Sequence, residues 1–378
     1  MTENITFGLA RMRVEDGEKR DFLPELVADL EKRGVQVFLE FGYGTGLGLK
    51  ELDYLKIAPN VRFVSYQEVF KQKYVLVLRC PVNEDLKDME PGSCLISMLH
   101  YPTRPQRVEL LNFLKIEAVS LDSIKDGSGR RLVENMRAVA WNGLEAGFQA
   151  LQCTYPSPGM ANLQRAPIHA TVLGVGAVGA QAVQAATRYG DVELWQKLAA
   201  RGIPGVQVTA VEYDLAGREA VMKNILARTD LLVDATHRRD TSQPVVPNQW
   251  IGWMPEHAVI VDLAVDPYTL DAEPPVVRGI EGIPQGNLDQ YVFPADDPKW
   301  DQLVPESIPS ENRRTTVTCY SWPGVHPEAC MRHYGRQLEP LLSRLVEKGY
   351  DSLTMGGDYF ERALYRATLK GWQAEEAE

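Results

Sequence analysis

At 378 residues, with 40 Lys and Arg against 51 Asp and Glu, the chain carries a formal charge of −11 and is long enough for two domains with separate cores. That acidity disfavours nucleic acid and anionic membrane surfaces as partners, because neither would gain from counterion release or charge attraction. No apolar run approaches the ~20 residues needed to span a bilayer and the first twenty residues are polar and charged, so a soluble, cytoplasmic protein is expected.

In chain order, residues 5–10 alternate as a short strand, and Phe22 to Arg33 read as an amphipathic helix through Phe22, Leu26, Val27 and Leu30. Arg11, Arg13, Glu18, Lys19 and Arg20 lie between them, beyond a strand end, where open α/β sheets place ligands; a solvated cationic loop is the competing reading. Val35–Glu40 is the next strand. Gly42-Tyr-Gly-Thr-Gly-Leu-Gly48 is glycine-rich, but it does not open a long helix and is not expected to form a phosphate site of its own. Tyr74–Arg79 and Gly92–His100 are near-continuous apolar runs, the pattern of strands buried on both faces of a parallel sheet. One ends in Arg79 and the other in His100. Two such strand ends together suggest a site. Arg131 to Leu151 has helical periodicity.

Ile168 to Arg188 organises the second half. A short β-branched run gives way to Gly174-Val-Gly176-Ala177-Val178-Gly179 and then to helix formers. The first glycine makes the turn, the second lets a pyrophosphate approach the backbone, and the third lets the helix pack on the strand. Free N–H groups at the helix start then face the phosphates. An acidic residue should end the following strand, to accept the ribose hydroxyls. Glu212 does so, at a longer spacing than the usual ~20 residues, because Asp191 to Arg201 adds helical turns. Asp214 is the competing candidate. Either carboxylate would favour NAD over NADP. Strands ending at Asp234 and Asp266 follow, with His237 and Arg238 beside the first, and the alternation predicts a parallel, doubly wound sheet. Pro294–Thr318 is proline-rich and reads as a lid or excursion without regular structure. Glu328 to Lys348 is a long helix, closed by Gly349 and with Pro340 as a point where it can bend, and Tyr359–Trp372 is a last helix. The five cysteines are odd in number and lack CxxC spacing, which argues against a disulfide framework and a zinc site.

Taken together, Glu18-Lys-Arg20, Val77-Leu-Arg79-Cys-Pro81, Ser97-Met-Leu-His100, the helix from Glu134 to Leu151, the glycine motif, Val261-Asp-Leu-Ala-Val-Asp266 and Ser321-Trp-Pro-Gly-Val-His-Pro327 resemble the alanine dehydrogenase family. That family includes the nucleotide-binding part of proton-translocating transhydrogenase and, more distantly, lysine-forming saccharopine dehydrogenases. The resemblance spans nearly the whole chain. It implies an α/β fold of two Rossmann-like doubly wound domains: an NAD-binding domain, residues 136–327, inserted into a discontinuous substrate domain, residues 1–135 and 328–378, with the substrate between them. It implies His100 and Asp266 as catalytic residues and Arg20, Arg79 and Ser321 as substrate-binding residues. Gly174, Gly176, Ala177, Val178, Gly179, Glu212 and His237 would bind the cofactor. The implied reaction is hydride transfer between NAD(H) and an L-amino acid/2-oxo acid pair, in a homo-oligomer, a dimer or hexamer. Arg79 stands where the family has lysine and Ser321 where it has asparagine. Arginine holds a carboxylate but cannot serve as a base near neutral pH, which leaves proton transfer to His100. A saccharopine- or opine-type enzyme joining a 2-oxo acid to an amino acid is the alternative, and a catalytically silent NAD-binding or transhydrogenase-like component is the alternative of another class.

Overall fold

Among the described residues, twelve strands in two sheets carry the molecule. In the computed structural model, which describes residues 5–13 and 15–376, the chain divides into two units, Met1–Asn135 with His326–Glu378, and Met136–Val325. In the first unit the strands are β1 (Thr6–Leu9), β2 (Gln36–Glu40), β3 (Arg62–Val64), β4 (Tyr74–Arg79), β5 (Cys94–Met98) and β6 (Glu117–Ser120), all parallel, in the order β3-β2-β1-β4-β5-β6. In the second they are β7 (Ile168–Leu173), β8 (Val206–Val211), β9 (Leu231–Asp234), β10 (Val259–Asp262), β11 (Val292–Phe293) and β12 (Thr315–Thr318), in the order β11-β12-β10-β9-β7-β8. In that sheet β11 runs antiparallel, as an edge strand.

The reason both sheets are buried on two faces lies in their sequences. Side chains alternate across a strand, and here both alternating sets are apolar. From β4, Leu76 and Leu78 enter one core while Val75 and Val77 enter another. From β10, Val259 and Val261 go to one side and Ile260 to the other. Each sheet therefore needs cover on both sides. In the first unit the helix Pro327–Lys348 supplies part of it through Met331, Leu338, Leu341 and Leu345. In the second, the helix Met136–Thr154 does so through Ala140, Leu144, Phe148 and Leu151.

Strand order also sets where ligands can go. In each sheet the order reverses once, between β1 and β4 in the first unit and between β7 and β9 in the second. Open α/β sheets bind ligands beyond the carboxyl ends of the strands at such switch points.

The strand expected to end at Asp266 stops at Asp262, because Val265 turns left-handed, and three further sequence expectations need correction. Pro294–Thr318 is not devoid of regular structure: Trp300–Leu303 is helical, and Thr315–Thr318 forms β12, parallel to β10. The prolines lie upstream of the β-branched run Thr315-Thr-Val-Thr, which is free to pair. The long helix at its front begins at Met136, because Arg131 pairs with Lys125 in an isolated bridge. The last helix is two, Tyr359–Ala367 and Leu369–Glu376. Thr368 leaves the helix to bridge Val119, and a Cβ on Gly371 would lie 2.0 Å from the Tyr365 carbonyl oxygen, so only glycine permits the return.

Within the first unit, Asp21 is 5 % exposed and accepts the Gly44 N–H at 2.7 Å. Burial pushes its carboxyl up to about 7, against the pull of the Gly44 N–H and the Arg11 charge, with nearby Glu40 adding to the rise. In the unfolded chain it ionises near 3.8, so between about pH 4 and 7 the folded state holds the extra proton and stability falls as pH rises. Asp21→Asn keeps an acceptor for Gly44 and does not titrate. Its stability relative to wild type should therefore improve by a few kcal/mol between pH 4 and pH 8, to order of magnitude. Thermal unfolding at the two pH values checks this, and an offset independent of pH would refute it.

Candidate functional site

At the switch point of the second unit, the turn after β7 has the geometry that its glycines predict. Gly174 sits at φ +77°, and a Cβ there would lie 2.9 Å from the Ala235 carbonyl oxygen. Gly179 faces the Gly174 carbonyl oxygen so closely that a Cβ would stand 1.9 Å from it. Gly176 differs: a Cβ there would meet nothing within 4 Å. The fold needs glycine at the first and third positions. At the second it leaves open space in front of the backbone, where a pyrophosphate would come close. The helix Ala177–Ala186 starts at this point with Gly176 as its cap, and its first N–H groups have no intrahelical acceptor.

Glu212 follows β8, and its Oε1 accepts the Val175 N–H at 2.7 Å. The carboxylate is thereby fixed beside the glycine turn. A cavity of about 550 Å³ opens in front of it, lined by Gly174, Glu212, Tyr213, Thr236, His237 and Arg239 among others. Tyr213 is 88 % exposed at its edge. Asp214 lies beyond Tyr213, is exposed, and is absent from that lining. These residues fit a dinucleotide: a carboxylate for ribose hydroxyls, an open glycine and a helix start for phosphates.

Beneath the same edge lie two buried carboxyls in register, Asp234 ending β9 and Asp262 ending β10. Arg278, fully buried, donates to Asp262 at 2.5 Å and to the Thr318 hydroxyl at 3.0 Å. Asp234 accepts from the Thr236 N–H and hydroxyl. Complete burial and the neighbouring Asp262 push its carboxyl up. The Asp266 side chain is 30 % exposed and pairs with Arg238 at 2.7 Å. The residue before it, Val265, adopts φ +56°, a left-handed backbone that costs a β-branched residue on the order of 1–3 kcal/mol. Ser321, in this unit as well, is buried at the turn after β12.

In the first unit, the switch point between β1 and β4 holds a cavity of about 250 Å³. Arg11, Met12 and Arg13 line it from beyond β1, Val77 and Arg79 from β4, and Pro81 from just past β4. Arg79 pairs with Glu15. Arg13 pairs with buried Glu40 and lies 4.0 Å over the Tyr66 ring. Arg20 is not at this surface. It is 4 % exposed and gripped by both oxygens of Glu18, at 2.8 and 2.5 Å. A substrate carboxylate would have to displace Glu18 to reach it.

His100 stands two residues beyond the adjoining strand β5, past Met98, which pairs with Arg79. It too is left-handed, at φ 53° and ψ 50°, and its side chain is 51 % exposed. Its Nδ1 lies 3.2 Å from Asp122 Oδ2, and its backbone N–H donates to Asp122 Oδ1 at 3.2 Å. Ser120 donates to the same oxygen at 2.8 Å. Burial works against the Asp122 charge, but the hydrogen bonds and charge of His100, with Ser120, hold its carboxyl well below the usual range. This pair fixes the imidazole, with Nδ1 toward the carboxylate and Nε2 left for proton exchange.

The structure thus puts Arg79 and His100 past the carboxyl ends of neighbouring strands in the first unit, with His100 outside the lining of the cavity that Arg79 faces, and the glycine turn, Glu212, His237 and Asp266 at the carboxyl ends of strands in the second. Sequence reasoning missed Asp122, Glu15 and the Arg238–Asp266 pair. Asp122 was the most accessible of these, since an acidic residue just past the next strand of a parallel sheet lies beside the residue just past the strand before it. Among the described residues, no group of three or more His, Cys, Asp or Glu side chains could hold a metal ion, and no helix is long and apolar enough to cross a membrane.

The family model "Alanine dehydrogenase/PNT, N-terminal domain" matches residues 14–140, and the corresponding C-terminal domain model matches residues 146–267. Both halves of one family follow each other in order, over about two thirds of the chain. The chain belongs to the alanine dehydrogenase/PNT family. Among relatives of this family, alanine dehydrogenase of Mycolicibacterium smegmatis is 24 % identical over 256 residues, covering 64 % of this chain and 68 % of that protein. NAD(P) transhydrogenase subunit alpha of Haemophilus influenzae is 20 % identical over 192 residues, which is 50 % of this chain and 37 % of that protein. A solved L-alanine dehydrogenase superposes with a TM-score of 0.71 at 19 % identity, covering 96 % of this chain and 94 % of that one. This structural likeness supports the fold of two α/β Rossmann-like parts seen here.

Proposed function

We propose that the chain is an NAD-dependent dehydrogenase acting on an L-amino acid/2-oxo acid pair, with the second unit as NAD domain and the first as substrate domain. The observation that carries this reading is the His100–Asp122 pair, formed between the turns that follow β5 and β6, in a chain whose glycine turn and Glu212 suit a dinucleotide. NAD, when bound, supplies the hydride acceptor. Glu212 would accept ribose hydrogen bonds through the oxygen not given to Val175 and would repel a 2′-phosphate, while the N–H groups of Ala177 and Val178 would face the pyrophosphate. His237 would line the cofactor cavity.

Arg79 would hold the substrate carboxylate by charge-assisted hydrogen bonds, exchanging Glu15 for it. His100 would move the proton as water or an amine adds at, or leaves, the imine carbon, with Asp122 stabilising the imidazolium. Asp266 would accept a hydrogen bond from the substrate nitrogen, and Ser321 would be a further substrate contact. Arg20 would act by bracing Glu18 unless that pair opens.

A second reading, joining a 2-oxo acid to a second amino acid, is favoured by the cavity between Arg11, Arg13 and Arg79, whose volume of about 250 Å³ exceeds what a methyl side chain fills. NADH oxidation across a panel of 2-oxo acids, first with ammonium and then with lysine and other amino acids, separates the readings. Turnover with ammonium is the expected result. Turnover only with a second amino acid selects the joining reaction, and NADH binding without turnover in any pair selects a silent component.

A further inference from the structure

Arg238 is 6 % exposed in its side chain, and both terminal nitrogens of its guanidinium donate inside the protein. They reach the carbonyl oxygens of Gln243, at 2.7 Å, and of Val277, and Asp266 Oδ2 at 2.7 Å. Three separate segments are buckled at one planar cation: the turn after β9, the turn after β10, and the stretch leading to Arg278. The neighbouring backbone repeats the tie, since Val277 N–H donates to Thr241 at 2.9 Å and Val245 N–H to Gly279 at 2.7 Å. A second acid near Arg238, Asp234, is pushed toward its neutral form by burial and by Asp262, and its Oδ1 accepts from the Thr236 N–H and hydroxyl. Asp266 is therefore the carboxylate to which Arg238 is committed. The backbone is shaped to allow this. Val265 is left-handed, with its N–H donating to Asp262 Oδ1 at 2.9 Å, which turns Asp266 out of the strand line and toward Arg238.

We infer that Arg238 is a positioning residue: through its guanidinium it aims the Asp266 carboxylate as a hydrogen-bond acceptor. The inference rests on the reading of Asp266 as a substrate-facing group. It has a chemical consequence. A carboxylate oriented by a guanidinium is placed to receive a hydrogen bond from an amine or carbinolamine nitrogen, and proton transfer is assigned to His100.

The test is a double-mutant cycle with a conservative control. Arg238→Gln and Asp266→Asn should each lower kcat about 100-fold, with the substrate KM raised less than about 5-fold. The double variant should be no slower than Asp266→Asn, because Arg238 acts through that carboxylate. Arg238→Lys, which keeps the charge but not the fork, should recover at least a tenth of the wild-type kcat. Additive losses in the double variant, or an Arg238→Lys enzyme as slow as Arg238→Gln, overturn the inference. If Asp266→Asn itself turns over normally, it is the substrate-facing reading of Asp266 that fails. Hydrogen exchange in the cofactor-free protein gives a readout apart from activity. Amides of residues 263–278 should exchange at least about 10-fold faster in Arg238→Gln and near the wild-type rate in Arg238→Lys, and equal rates in all three would show that Arg238 holds nothing in place.

Discussion

Replacing His100 by Ala is expected to lower kcat by about 10² to 10⁴, the range that a positioned acid–base group contributes, while leaving the affinity for NADH within about 3-fold of wild type. The asymmetry follows from location. His100 lies at the end of β5 in the first unit, and the glycine turn and Glu212 lie in the second. The half-exposed side chain leaves no cavity when removed, but Asp122 loses the partner that favours its charge, so thermal unfolding of the variant is measured beside its kcat. Asp122→Asn makes a sharper test of how the imidazole is held. It removes the acceptor that fixes Nδ1 and leaves a buried amide in place of an ion whose charge the site favours, so kcat should fall by about 10 to 100 with little change in KM. Steady-state kinetics with the best substrate pair, together with NADH fluorescence titration, measure both. A His100→Ala variant that keeps more than a tenth of wild-type turnover would remove His100 from the mechanism.

The second large effect is expected at the glycine turn, where two substitutions should separate folding from cofactor binding. Gly179→Ala places a Cβ 1.9 Å from a backbone oxygen. Backbone cannot move aside as a flexible side chain can, so the helix must shift off its strand. Overpacking of this kind costs at least about 1–3 kcal/mol, and the unfolding temperature should drop together with NADH affinity. Gly176→Ala meets nothing within 4 Å, and Gly176 has an ordinary φ of −70°. Its cost to stability should stay within about 1 kcal/mol, that of alanine at a helix cap. The added methyl nevertheless projects into the space that a pyrophosphate needs, and the NADH dissociation constant should rise at least about 10-fold. Thermal unfolding and NADH titration of both variants check the contrast. Unchanged NADH affinity in Gly176→Ala would mean that phosphates do not bind at this turn.

Much of the fold was legible because its causes are local. β4 announces itself as a short apolar run with no polar face, and in β7 the change from β-branched residues to alanines marks the strand-to-helix switch at Gly174. The short β3 and the helix Pro105–Leu114 were not legible: Arg62-Phe-Val is only three residues long, and the helix has no coherent apolar face, burying only Val108 and Leu111. β12 was hidden by the prolines before it. Its identity as a strand depends on Val259–Asp262 waiting alongside to pair with it, which no window of sequence contains.

The sequence by itself determined the alternation of elements, the glycine turn, the acid at the end of β8, and the strand ends that carry Arg79 and His100, since each rests on residue type and spacing within a few turns of chain. Only tertiary structure decided which charges are spent and which are available. Glu18 closes over Arg20, Asp122 comes from the turn after β6 to orient His100, and Arg238 reaches 28 residues along the chain to Asp266. A buried charge must find a counter-charge wherever the fold brings one within reach, because the cost of leaving it unpaired exceeds what any local preference can offset. That pairing is set by strand order, and the strand order emerges only when the whole sheet is assembled.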